Sequence, residues 1–270
     1  MWHNTHMPNS NNAFSVLRRS IAGRDYTQTQ KTETEEGRRE VPPILVLPPG
    51  MEAREFVARV EEAYGLNYAK ERVYSDDDTK AKMEHSFDLM DEGYVDLTLF
   101  DYRRASDMFS LALILYDNYF YHFCLAYSRN SLGDFEGALY HLRIAMTQLR
   151  EKQEVPDEIT YMVQEANFTE EYYALFLRTL IFTGNMEEAK KLADFVLENK
   201  IFIDGEYALD AASVFGLFDE KQYAAKLLET IKSDLEKEKD PEIKKHLTEF
   251  IKRILTPNFT DESAQVDKNK

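Results

Sequence analysis

The chain is short of cysteine. Cys124 stands alone, so no disulfide can form within one chain, and the fold must rest on packing. Cation is also scarce: 33 Lys and Arg face 49 Asp and Glu, a formal charge of -16. A surface with that balance repels phosphate, which argues against nucleic acid and against anionic membrane as partners. No apolar run reaches the length of a membrane span, and Met1-Trp2-His3-Asn4 lacks the basic-then-apolar pattern of a secretory leader. A cytoplasmic protein is the expectation. The motifs of catalysis are missing as well: no phosphate-binding glycine loop, no Gly-x-Ser-x-Gly, no paired cysteines, no His-Glu-x-x-His. His85, His122, His141 and His246 read as isolated on helices, and Cys124 as an ordinary buried thiol. No catalytic residue, metal site or cofactor is expected, and the chain reads as not an enzyme.

What is present is a repeat. Asp101, Tyr102, Ala105, Phe109, Ala112 and Leu113 recur 33 residues later as Asp134, Phe135, Ala138, Leu142, Ala145 and Met146. A period near 34 with small residues at fixed places is the mark of stacked helix–turn–helix units. Two units follow from this match, over about 86–118 and 119–150. A third over about 170–203 carries Tyr173, Phe176, Leu180, Gly184-Asn185-Met186 and Ala189. A fourth over about 205–238 carries Ala208, Ala211, Ala212, Phe215, Ala224 and Leu228. Small side chains let the paired helices approach closely. Gly133-Asp134 and Gly184-Asn185 read as a stop for one helix and a cap for the next.

Around these units the organisation is simple. Residues 1 to about 40 are rich in Asn, Thr, Gln and charge and read as disordered. Residues 42–49 then set four apolar residues, Ile44, Leu45, Val46 and Leu47, between the pairs Pro42-Pro43 and Pro48-Pro49, a stretch that should be extended rather than helical. A short helix is expected over about 52–64. Ser75-Asp76-Asp77-Asp78 opens the first long helix, where carboxylates suit free N–H groups; a calcium loop would need alternating ligands and a central glycine, which are absent. An insert of about 151–168 separates the second and third units. Asp240-Pro241-Glu242 opens a last helix to about 255, apolar on one face, that would close the stack, and 257–270 read as a flexible tail.

The pattern resembles the tetratricopeptide repeat (TPR). The resemblance implies an all-α, TPR-like helical repeat solenoid over 51–256, with a disordered, Pro-rich extension over 1–50 and a C-terminal capping helix. It also implies a concave inner wall made by the first helix of each unit. Phe87, Met90, Tyr94, Phe120, Phe123 and Tyr127 fall on that wall, an aromatic stripe suited to an apolar peptide or helix. The TPR domains that grip a chaperone's C-terminal carboxylate carry Lys and Asn where Met90 and Tyr94 stand here, which argues against that ligand. The expected function is therefore non-catalytic protein binding by an adaptor or scaffold, with self-association as a further expectation.

A small acidic TPR protein with an aromatic groove is also similar to the class II chaperones of type III secretion. These hold a translocator segment through a Pro-x-Leu-x-x-Pro pattern, and Pro43, Leu45 and Pro48 of this chain fit it. Three alternatives stay open at this point. Residues 42–49 occupy the groove or merely cap the first repeat; the wall faces solvent or is covered by the chain itself; the groove takes a protein segment or a small ligand.

Overall fold

The computed structural model describes residues 43–72, 74–75, 77–151, 168–202, 205–237 and 239–256. The expectations for 1–42, for the insert after Glu151 and for the tail beyond Thr256 lie outside these residues. Among the described residues the fold is all-helical. In chain order the helices are α1 (Ala53–Ala63), α2 (Tyr68–Glu71), α3 (Thr79–Thr98), α4 (Tyr102–Leu115), α5 (Tyr119–Ser131) and α6 (Phe135–Arg150). After the insert come α7 (Phe168–Phe182), α8 (Met186–Glu198), α9 (Gly205–Leu217), α10 (Lys221–Thr230), α11 (Lys232–Lys237) and α12 (Pro241–Leu255). No described helix is long and apolar enough to cross a membrane.

Four hairpins, α3–α4, α5–α6, α7–α8 and α9–α10, share one turn. In each, the helix ends with a residue in the left-handed region: Phe100 (φ 61°), Gly133 (φ 83°), Gly184 (φ 75°) and Asp219 (φ 62°). In each, the following N–H reaches back five residues: Asp101 N to Asp96 O at 2.9 Å, Asp134 N to Arg129 O at 2.9 Å, Asn185 N to Leu180 O at 2.8 Å, Glu220 N to Phe215 O at 2.9 Å. This is the doubly bonded glycine-type helix stop, which satisfies the last carbonyls and lets the next residue serve as N-cap. Asp78, Asp101 and Asp134 accept from the backbone N–H three residues on, as the sequence suggests. Asn185 does not; its amide donates to Thr183 Oγ1 at 2.8 Å instead.

The hairpins pack in sequence, α4 on α5, α6 on α7, and α9 and α10 on α7 and α8. Buried hydrogen bonds tie neighbours together: Asn130 Nδ2 to Thr179 Oγ1 at 2.9 Å, and Tyr172 OH to the Leu142 carbonyl at 2.8 Å. At the turn edge Phe182 stacks on Phe135 (4.6 Å between centroids) and meets Phe218 edge-on at 5.6 Å, so the second, third and fourth turns lie side by side. Close approach within the first hairpin needs Gly93, because a Cβ there would lie 2.4 Å from the Phe109 ring. Phe109, itself one of the residues that the 33-residue offset repeats, thus fills the space beside this glycine.

Both ends are covered. The α1–α2 layer lies on the first hairpin, with α1 against α4 and α2 against α3. Tyr68 OH donates to Glu92 at 2.6 Å and Arg72 Nε to Asp88 at 2.7 Å. At the other end α12 packs on α9 and α10, and Ile254, fully buried, sits so close to Gly216 that a Cβ there would meet it at 2.7 Å.

Candidate functional site

The expected inner wall comes from α3, with Phe87, Met90 and Tyr94, and from α5, with Phe120, Phe123 and Tyr127. Of its six residues, Phe87, Tyr94 and Tyr127 keep some exposed surface. Met90 and Phe120 have none and Phe123 is 4% exposed. The continuous solvent-facing stripe therefore does not form. The reason is the neighbouring hairpin: Phe168, the first residue of α7, packs on Phe123 (4.9 Å between centroids) and on Phe120 (5.8 Å), and Tyr172 follows at 6.2 Å from Phe123. Tyr94 closes the cluster from α3, edge-on to Phe109 at 6.1 Å and 6.3 Å from Phe120. The Cys124 thiol points at Tyr94 OH across 3.7 Å. Burial holds the Tyr94 phenol well above its ordinary range and pushes the Cys124 thiol up too, so neither ionises near neutral pH.

The proline-flanked stretch is half in the structure and half out. Ile44, Leu45 and Leu47 are partly buried against the main core, Val46 is 72% exposed, Pro43 is exposed and Pro48 half-buried. It forms no helix, and Gly50 (φ 80°) turns the chain into α1.

Three histidines that read as isolated are partnered. His85, with no exposed surface, bonds the Glu61 carboxylate through Nε2 and the Tyr74 hydroxyl through Nδ1 at 2.6 Å. Glu61 also accepts from Ala69 N at 2.8 Å, so the network pins the N-terminal layer to α3. His122 and His141 face each other across the second hairpin, Nδ1 to Nδ1 at 2.8 Å. His122 Nε2 lies 2.9 Å from Asp117, and Gln148 donates to the same carboxylate oxygen at 3.0 Å. These contacts assign the tautomers. His122 carries its proton on Nε2 for Asp117, so its Nδ1 accepts, and His141 donates from Nδ1. That leaves His141 Nε2 as a buried nitrogen without a hydrogen-bond partner. Burial pushes His141 down to about 4, while the bond from His122 holds Asp117 below the usual carboxylate range. His246 is exposed. Among the described residues no group of three or more His, Cys, Asp or Glu is placed to hold a metal ion.

The first turn also exposes an apolar patch. Val95 is 53% exposed, Leu99 69% and Phe100 75%, and they adjoin at the first turn. Phe100 holds the left-handed backbone position that glycine holds in the next two turns. A bulky residue there is an outlier, and such outliers cluster at functional surfaces. The signal was in the repeat itself: the 33-residue offset sets Phe100-Asp101-Tyr102 against Gly133-Asp134-Phe135.

The chain matches no protein-family model. Comparison with curated proteins and with solved structures gives no match either.

Proposed function

We propose that this chain is a TPR-like helical repeat solenoid that binds a protein or peptide partner without catalysis, as a cytoplasmic adaptor or scaffold. The observation that carries the reading is that four successive hairpins close with one kind of helix stop, at Phe100, Gly133, Gly184 and Asp219, a stop that also ends α1 at Gly65 and α8 at Lys200. A chain that builds one hairpin repeatedly and lays each on the last makes a long surface. Long surfaces suit extended or helical protein segments better than they suit small molecules.

Within the inner wall, the residues available to a partner are Phe87, Tyr94 and Tyr127, which keep exposed surface. Met90, Phe120 and Phe123 back them from the core. A partner would lie across the half-buried rings rather than insert an anchor among Phe120, Phe123 and Phe168.

The test is affinity capture from the source-cell lysate, read by mass spectrometry, with the full chain and with Phe87→Ala and Tyr127→Ala as baits. Each variant is first checked by thermal denaturation. A discrete partner lost with either variant supports the inner wall as the binding surface. A partner kept by both removes the wall from the reading, and no partner for the full chain overturns protein binding itself.

A further inference from the structure

The first turn carries an apolar projection: Phe100 stays 75% exposed although its ring meets Tyr102 edge-on at 6.3 Å. The three sister turns put Gly133, Gly184 and Asp219 at the left-handed position, residues that tolerate it better than Phe100. Asp91 and Val95 of α3 and Leu99, its C-cap, succeed one another at intervals of four, so they share one exposed face, and Phe100 and Asp101 continue it around the turn. The surface is thus apolar at its centre and acidic at its edges. Asp88 and Glu92, on the same helix, are engaged by Arg72 and by Arg104 with Tyr68, whereas the exposed Asp91 borders the apolar patch, as does Asp101, one oxygen of which accepts from Arg104 N at the α4 cap. Arg103 is an exposed cation beside it, which leaves Asp91 as the more acidic flank.

A segment of complementary chemistry lies in the chain outside the described residues. Residues 1–24 hold three arginines and no acid, whereas all 49 acidic residues of the protein come later. Phe14, Val16, Leu17 and Ile21 are interleaved with Arg18, Arg19 and Arg24. The described chain begins at Pro43, and Ile44, Leu45 and Leu47 anchor it to the core just before α1, which lies on the first hairpin. The residues from Arg24 to Pro43 can span up to ~60 Å of extended chain, enough to reach any point of that hairpin.

We propose that residues 14–24 dock in cis on the Val95–Leu99–Phe100 surface, with their apolar side chains on the exposed rings and methyls and their arginines toward Asp91 and Asp101. Tethering supplies the encounter as a high local concentration, so a modest contact suffices. The inference is independent of the partner-binding reading, and its failure leaves that reading standing.

Limited trypsin digestion of the full chain tests it, with cleavage after Arg18 and Arg19 timed by mass spectrometry and cleavage after Arg38 and Arg39 as the internal reference. Phe100→Gly is the decisive variant, because it removes the ring while easing the backbone, so loss of folding cannot mimic undocking. Cleavage after Arg18 and Arg19 is expected to speed up by about tenfold in Phe100→Gly relative to the reference sites, the size of effect one apolar anchor has. Added salt is expected to act in the same direction. Equal cleavage in both proteins overturns the proposal. So does protection that disappears on dilution, which would put the segment on a second copy.

Discussion

His122 Nδ1 and His141 Nδ1 stand 2.8 Å apart between the two helices of the second hairpin, with Asp117 on the far side of His122. This pair makes the hairpin sensitive to acid. His141 is held neutral by burial, with a folded-state value of about 4 against an ordinary 6.5.

The sign follows from proton counting. Between pH 6.5 and about 4 the unfolded chain binds a proton at His141 that the folded chain refuses, so stability falls as pH falls through that window. The contribution is complete above about pH 6.5, and its loss reaches roughly 3 kcal/mol near pH 4. Urea unfolding of the wild type and of His141→Asn at pH 7.5, 6 and 5 checks it. The difference in stability between the two proteins should shrink steadily toward acid, and a constant difference would remove His141 as the titrating group.

In a chain starting at Pro43, which lacks the N-terminal segment proposed to dock there, Phe100→Gly should be stabilising. It places glycine at φ 61°, as the chain itself does at Gly133 and Gly184, and removes a ring that is 75% exposed. The expected gain is about 1 kcal/mol, read as a rise in the urea midpoint. Gly184→Ala, with open space around the new Cβ but the same backbone demand, should cost about 1 kcal/mol. A lower midpoint for Phe100→Gly would mean that the edge-on contact of this ring with Tyr102 outweighs the backbone strain.

Gly93→Ala should be among the costly single changes. A methyl at 2.4 Å from Phe109 cannot be housed unless that ring moves, and Phe109 is fully buried. A loss of about 1–3 kcal/mol is expected. Pairing it with Phe109→Leu should recover part of the loss in a double-mutant cycle. Strict additivity would place the strain elsewhere.

Phe168→Ala should uncover the aromatic wall. Removing this ring leaves Phe120, Phe123, Tyr119 and Tyr172 facing a void, at a cost of about 3–5 kcal/mol. If the variant stays folded in circular dichroism, it should bind an apolar dye that the wild type excludes. Equal dye binding by the two folded proteins would mean that the wall is accessible already.

The long helices of the repeats and several of their ends follow from local sequence. The 33-residue offset, the aspartates at 78, 101 and 134 and the glycines at 133 and 184 act locally, through caps and left-handed stops, and each can be read without knowing what packs on it. Tertiary structure decided which faces the helices bury. From Tyr119 to Ala126 every residue of α5 is buried, so the helix has no polar side from which a phase could be read. Whether Phe120 and Phe123 meet solvent or Phe168 depends on where α7 lands, across an insert whose length the repeat does not set. The histidine pairs are of the same kind. His122 and His141 are 19 positions apart, and Glu61 and His85 are 24 apart, and only the packing of separate helices brings them within hydrogen-bond reach.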